Sequence, residues 1–190
     1  MGEGVSEMKN MRGGYIMKAF WKCASVCALA CMTFVSRAQA QEARTIYLVR
    51  HADKVSEETD SLLSDAGRAR AKCLAKTLED AQVQQIFTSD LQRTQQTAAP
   101  LAEKLHLKPV AIPIGKPDEL IDAIRSTKAR SVLVIWHDAT LPRILRALGT
   151  PEIVPIAHTE YDRFFVLTLA GDGKNSKPGF AALRYCDCPQ

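Results

Sequence analysis

The chain has 190 residues, which predicts one ordinary domain with an extension, and it carries 25 lysines and arginines against 21 aspartates and glutamates, a net charge of +4. Five of the basic and two of the acidic residues lie within the first 40 positions, so residues 41–190 are nearly neutral, at +1. A balance this even argues against binding nucleic acid or a membrane surface through a general basic field.

The N-terminal 40 residues have the form of a secretory signal. A basic segment after Met17, an apolar core over residues 23–35 and the small residues Ala38-Gln39-Ala40 follow one another in the order that export requires. The apolar core is too short to span a bilayer as a permanent helix. We therefore expect residues 1–40 to be an extension with a signal peptide cleaved near Ala40. The domain, residues 41–190, is then secreted or periplasmic, without stable membrane insertion.

Two features of this leader stay open. Translation could begin at Met1 or at Met17, because residues 1–16 are polar and contain glycine. A lipoprotein anchor at Cys31 and a buried N-terminal helix are the competing interpretations of the apolar run.

Three cysteines remain after the leader is removed, namely Cys73, Cys186 and Cys188. Because three is odd, at least one thiol stays free or pairs between chains. In an oxidising compartment Cys186 could pair with Cys188 or with Cys73. Their spacing is not that of a metal site, and we expect no metal or other cofactor.

Strand-like and helix-like segments alternate through the domain. The first predicted strand runs from Thr45 to the Arg50-His51 pair. The other predicted strands are 84–88, 108–112, 131–136, 163–170 and 181–185, and the predicted helices are 64–79, 89–105, 117–125 and 141–148. This order predicts an α/β fold: a three-layer sandwich whose mostly parallel central sheet is flanked by helices, with antiparallel strands late in the chain.

Two serines are predicted to cap helices. Ser64 precedes the first helix, and Ser89 precedes the second with Gln92 three residues later, the spacing of a capping box. In the first helix, the side chains expected to face inward are Ala66, Ala71, Leu74, Ala75 and Leu78.

Polar side chains follow three of the predicted strands. Arg50 and His51 end the first, Ser89 to Arg93 follow the second, and His137 follows the strand that ends at Trp136. Because the carboxyl ends of parallel strands share one edge of the sheet, these groups can surround a single site. Two arginines, two histidines and a helix N-terminus suit a doubly charged tetrahedral anion such as a phosphoryl group.

The motifs Arg50-His51-Ala52, Leu63-Ser64-Asp65-Ala66-Gly67-Arg68 and Ser89-Asp90-Leu91-Gln92-Arg93-Thr94-Gln95-Gln96-Thr97-Ala98, together with His137, resemble the histidine phosphatase superfamily. The resemblance covers almost all of residues 44–170, and within the superfamily the chain resembles small exported bacterial members. It implies a metal-independent phosphatase in which His51 attacks phosphorus and forms a phosphohistidine. Arg50, Arg93 and His137 would hold the phosphoryl oxygens while water hydrolyses the intermediate.

The resemblance leaves the proton donor for the leaving group open. The segment 108–119 offers no clear equivalent of the glutamate that many members use, and Asp138, directly after His137, matches the aspartate that donates the proton in the phytase and acid-phosphatase branch. Asp138 could instead be a helix N-cap, and Asp53 and Glu160 are further candidates.

A small phosphorylated substrate is the expected partner, and its identity and the oligomeric state are beyond the sequence. The alternative function is a catalytically weak or silent protein that binds phosphate or a phosphoprotein.

Overall fold

A computed structural model describes residues 43–150, 155–169 and 177–186. The predicted leader, residues 1–40, lies outside these described residues, as does Cys188. Within the described ranges, no helix combines the length and apolar character needed to cross a membrane.

Six strands form one mixed sheet in the order β3-β2-β4-β1-β5-β6. The pairs β1–β4, β2–β4 and β2–β3 are parallel, and the late pairs β1–β5 and β5–β6 are antiparallel. The predicted fold class is thereby confirmed. The strands are β1 Arg44–Arg50, β2 Gln85–Ser89, β3 Val110–Ile112, β4 Ser131–Trp136, β5 Arg163–Leu169 and β6 Gly179–Arg184.

Four helices cover the two faces of the sheet. They are α1 Asp65–Thr77, α2 Gln92–Leu105, α3 Pro117–Ser126 and α4 Leu141–Ala147. Because side chains alternate across a strand, Val132 and Val134 of β4 pack with α3 and α4, whereas Leu133 and Ile135 pack with α1 and α2. All six residues of β4 are buried, as expected for a central strand covered on both faces.

The first helix begins as predicted, because the Ser64 side chain accepts a hydrogen bond from the Gly67 amide. The prediction of which residues of α1 face inward was partly wrong, because Ala66 is exposed and Gly67 is buried. Gly67 contacts the backbone of Asp53, where an added Cβ would lie 2.0 Å from the carbonyl oxygen. Glycine at this position therefore allows α1 to approach the loop that follows β1.

The predicted capping box at Ser89 was wrong. The N-cap of α2 is Leu91, which makes no side-chain cap hydrogen bond, and Ser89 is the last residue of β2. The Asp60 carboxylate accepts the Gln92 amide hydrogen bond instead, at 2.7 Å. Asp60 lies 32 residues earlier in the chain, so local spacing could not identify this long-range cap.

A disulfide joins Cys73 of α1 to Cys186, just after β6. It selects one of the pairings that the sequence had left open. The Arg70 side chain lies beside it, donating hydrogen bonds to the Cys186 carbonyl at 3.0 Å and to the Asp53 carboxylate at 2.7 Å. The end of the sheet is thus connected to the loop after β1.

Candidate active site

The ends of three adjacent parallel strands bring the predicted polar residues together. Arg50 ends β1 and is paired in register with Trp136 of β4, and the His51 amide continues the ladder by donating to the Trp136 carbonyl at 3.0 Å. The rings of His51 and His137 lie 5.3 Å apart, centroid to centroid. The carboxyl edge of the sheet therefore presents both histidines to one site.

His51 is held as a neutral base with one fixed tautomer. Its side chain is buried, and its Nδ1 lies 2.8 Å from the Ala52 carbonyl oxygen. A carbonyl can only accept, so Nδ1 carries the hydrogen and Nε2 keeps a free lone pair. Burial, aided by the nearby charges of Arg50 and Arg93, lowers the pKa of His51 to about 3. Nε2 is thus available as a nucleophile at neutral pH.

His137 is also neutral, with the opposite tautomer. Nη2 of Arg93 lies 3.3 Å from Nδ1 of His137, and because arginine can only donate, Nδ1 is the acceptor. The Nε2–H of His137 therefore donates to the Ser89 hydroxyl at 2.9 Å. Burial, followed by the charge of Arg93, lowers the pKa of His137 to about 4.

Arg50 is fully buried and connects the site to the loop before β5. Its Nη1 donates to the carbonyl oxygens of His158 at 2.7 Å and of Glu160 at 3.2 Å. Its guanidinium carbon lies 4.1 Å from the centroid of the Tyr161 ring, which is itself 5.9 Å from the ring of His51. Arg50 thus holds the loop in place while it contributes positive charge beside His51.

Three buried arginine nitrogens have no hydrogen-bond partner among the described residues: Nε and Nη2 of Arg50 and Nε of Arg93, of which Nη2 is in an ion pair with Asp138. Buried donors are normally paired, so unpaired ones beside a candidate nucleophile indicate a place for an acceptor-rich ligand. A phosphoryl group, with several oxygen acceptors and a double negative charge, matches these donors.

Asp138 lies against Arg50, with its Oδ2 3.1 Å from Nη2 of that arginine. Burial raises the pKa of Asp138, but the Arg50 charge and hydrogen bonds from His158 and the Ala139 amide outweigh burial and hold it below its usual value. The capping alternative for Asp138 was wrong, because the N-cap of α4 is Thr140.

The two other acid candidates are engaged in ion pairs. Asp53 pairs with Arg70. Glu160 accepts the Ala157 amide hydrogen bond and pairs with Arg184, which together lower its pKa.

The surroundings of His51 and Asp138 include three residues to which the sequence assigned no role, namely Tyr161, His158 and Glu57. The side chain of His158 is 66% exposed, yet its Nδ1 lies 2.7 Å from Oδ2 of Asp138. Its Nε2 lies 3.3 Å from the Glu57 carboxylate. Tyr161 directly follows the acid candidate Glu160 in the sequence. This position pointed to the segment before β5, although it did not show what the tyrosine contacts.

No group of three or more potential metal ligands occurs within the part of the chain that the structure describes. A separate cavity of about 760 Å³ between α2 and β3, lined in part by Gln95, Ala99 and Pro109, contains none of the site residues.

Comparison with known proteins confirms the resemblance seen in the sequence: residues 46–114 match the model of the histidine phosphatase superfamily, branch 1. No curated protein shows significant sequence similarity to the chain.

Solved structures share the fold. A mycobacterial glucosyl-3-phosphoglycerate phosphatase aligns with a TM-score of 0.62 and 16% identity over 75% of this chain and 99% of its own. The protein histidine phosphatase SixA, in complex with tungstate, aligns with a TM-score of 0.56 and 22% identity over 74% of this chain and 96% of its own. The family match supports phosphatase activity in general terms.

Proposed function

We propose that this chain, whose residues 46–114 match the histidine phosphatase superfamily, hydrolyses phosphomonoesters through a phosphohistidine intermediate on His51. One observation carries the proposal: the Ala52 carbonyl fixes the hydrogen of His51 on Nδ1, which leaves Nε2 unprotonated beside the buried Arg50 and the half-buried Arg93. Phosphoryl transfer depends mainly on positioning and charge compensation, and these residues can supply both.

In the first step, Arg50 and Arg93 hold the phosphoryl oxygens of the substrate. The predicted contact from His137 requires its Nδ1, which accepts from Arg93 before substrate binds, to take up a proton. Nε2 of His51 attacks phosphorus as the bond to the leaving oxygen breaks. In the second step, water attacks the phosphohistidine, the P–N bond breaks, and inorganic phosphate leaves. Neither step calls for a metal ion, because the guanidinium groups compensate the charge. The sequence assigned the proton for the leaving group to Asp138, and that role stays a prediction.

The proposed setting is outside the cytoplasm, with a small phosphorylated molecule as substrate. The form of residues 1–40 and the Cys73–Cys186 disulfide support this setting, since disulfides persist in oxidising compartments. Export to the periplasm or beyond, with no role for nucleic acid, is consistent with the nearly neutral domain.

The decisive experiment is hydrolysis of p-nitrophenyl phosphate by the exported protein. We expect phosphate release that vanadate inhibits and a chelator does not, and we expect the His51→Ala variant to lose at least about 1,000-fold in kcat. His106→Ala is the matched control, because His106 is an exposed histidine at the C-terminal end of α2 and should keep full activity.

Labelling with radioactive phosphoester, followed by an alkaline quench, should trap a phosphoenzyme in the wild type and none in His51→Ala. Unchanged hydrolysis by His51→Ala would overturn the mechanism. Phosphate binding without any turnover would instead identify the protein as the silent binder.

A further inference from the structure

We infer that His158, oriented by Asp138, is the group that gives the leaving oxygen its proton. The inference rests on the proposed function and adds a catalytic residue to it. It also changes the expected role of Asp138 from proton donor to positioning residue.

The geometry of the His158 side chain is that of an oriented acid. Its Nδ1 lies 2.7 Å from Oδ2 of Asp138, and its Nε2 is on the opposite side of the ring, 3.3 Å from Oε2 of Glu57. A carboxylate on Nδ1 fixes the ring and stabilises the imidazolium, as in other carboxylate–histidine pairs. Nε2–H is then the proton that can be transferred.

The backbone of His158 is hydrogen-bonded to Arg50, one of the two arginines proposed to hold the phosphoryl group. Its carbonyl oxygen accepts the 2.7 Å hydrogen bond from Nη1 of the buried Arg50, and Asp138 lies against Nη2 of the same guanidinium. His158 is therefore held near the phosphate site by two independent contacts, although 66% of its side chain is exposed. A leaving group displaced by the buried His51 must depart toward solvent, where an exposed side chain can meet it.

The charged groups around His158 favour this assignment over a carboxylate donor. Asp138 follows β4 and faces Nδ1, Glu57 in the loop after β1 faces Nε2, and Lys54 pairs with Glu57 at 2.5 Å. Hydrogen bonds from Lys54 and His158 lower the pKa of Glu57, and Asp138 is likewise held ionised by Arg50. The side chain of Glu57 is 78% exposed, so it can move aside for a substrate.

The proton balance closes over both steps. As the P–N bond to His51 forms, the electron pair of the breaking P–O bond stays on the leaving oxygen, which takes the proton from Nε2 of His158. His158 is then neutral. When water attacks the phosphohistidine, the P–N electron pair returns to His51 and a water proton goes to His158, which restores the starting state.

The test compares two leaving groups in the full exported protein. p-Nitrophenolate departs without a proton, whereas the alkoxide of glycerol 2-phosphate needs one. His158→Gln keeps the backbone carbonyl that binds Arg50 but cannot donate a proton as an acid. We expect kcat/KM for glycerol 2-phosphate to fall by about 100-fold and that for p-nitrophenyl phosphate to change by less than about 3-fold. His106→Gln, a second exposed histidine, should change neither.

The companion variant is Asp138→Asn. If Asp138 only positions His158, its loss on glycerol 2-phosphate is smaller than that of His158→Gln. A differential loss in Asp138→Asn with no such loss in His158→Gln would assign the proton to Asp138 and overturn the inference. Equal losses on both substrates in His158→Gln would also overturn it. In both cases hydrolysis of p-nitrophenyl phosphate by wild type would leave the proposed function standing, whereas no turnover of either substrate would remove both.

Discussion

The hydroxyl of Ser89 accepts a hydrogen bond from Nε2 of His137 at 2.9 Å, so the last residue of β2 fixes the ring that follows β4. This bond selects the tautomer in which Nδ1 of His137 accepts from Arg93. The placement of Arg93 beside His51 therefore depends on a serine that never needs to touch the substrate.

Replacing Ser89 with alanine should lower kcat/KM for p-nitrophenyl phosphate by about tenfold, the effect of losing one positioning hydrogen bond. The ring of His137 loses its acceptor and can place its hydrogen on either nitrogen, which weakens the contact with Arg93. The measurement is steady-state kinetics, with the tautomer followed by ¹⁵N NMR.

Ser131→Ala is the matched control for Ser89→Ala. Ser131 begins β4, is also buried, and donates its hydroxyl hydrogen to the Ala81 carbonyl at 2.8 Å. Its loss should reduce stability and leave kcat/KM unchanged. An equal loss of activity in both variants would show that the Ser89 effect is not specific to the site.

Stability should fall as the pH drops from 6.5 to 4.5. The pKa of His51 is about 3 and that of His137 about 4 in the folded state, against 6.5 for an unperturbed histidine. In this window the unfolded chain binds protons that the folded chain does not, so acid favours unfolding. Each histidine contributes up to about 1.4 kcal/mol per pH unit. Urea unfolding at several pH values measures the slope.

The double variant His51→Asn/His137→Asn removes both titrating groups and should flatten this dependence. His106→Asn should leave the slope as it is. If the double variant keeps the wild-type slope, the acid sensitivity originates elsewhere in the protein.

Gly67→Ala should lower the free energy of unfolding by about 1–3 kcal/mol, the usual cost of overpacking. The new Cβ would lie 2.0 Å from the backbone oxygen of Asp53, so α1 and the loop after His51 must separate. Because that loop includes Ala52, whose carbonyl fixes His51, kcat should fall as well. Urea unfolding and p-nitrophenyl phosphate kinetics report the two effects.

Gly115→Ala is the comparison for Gly67→Ala, because a Cβ at Gly115 would meet nothing within 4 Å. This variant should match the wild type in both measurements. A Gly67→Ala protein as stable as Gly115→Ala would contradict the close approach of α1 to Asp53.

Cys73→Ala should lower the free energy of unfolding by about 2–4 kcal/mol, because the disulfide closes a long loop between residues 113 positions apart. Thermal unfolding with and without reductant measures the loss, and peptide mass mapping identifies the linked cysteines. Cys188→Ala should retain the Cys73–Cys186 link. Loss of the disulfide in Cys188→Ala would contradict this pairing.

Patterns within short stretches of the sequence were sufficient to predict most of the strands and helices of the fold. Apolar runs with clear ends gave β4 its bounds of Ser131–Trp136 as predicted, and Ser64 caps α1 because that signal lies within four residues of chain. The strand predicted at 108–112 is also present, although it is shorter, Val110–Ile112.

The errors and omissions involve contacts between distant segments. Ser89 has the sequence spacing of an N-cap for α2, but its hydroxyl contacts His137, 48 residues away. The Asp60 carboxylate accepts the hydrogen bond from the first turn of α2 instead. The sequence placed both histidines and both arginines at one sheet edge. It could not show that Arg50 reaches the loop containing His158, because no short-range pattern encodes that contact.

Arg50 holds that loop through main-chain carbonyl oxygens, at Ala157, His158 and Glu160. A carbonyl is present whatever the side chain, so most substitutions in residues 157–160 leave this anchor intact. At positions other than His158, the rim of the site can therefore vary, in directed libraries for example, to suit different leaving groups while Arg50 keeps its place beside the phosphoryl site.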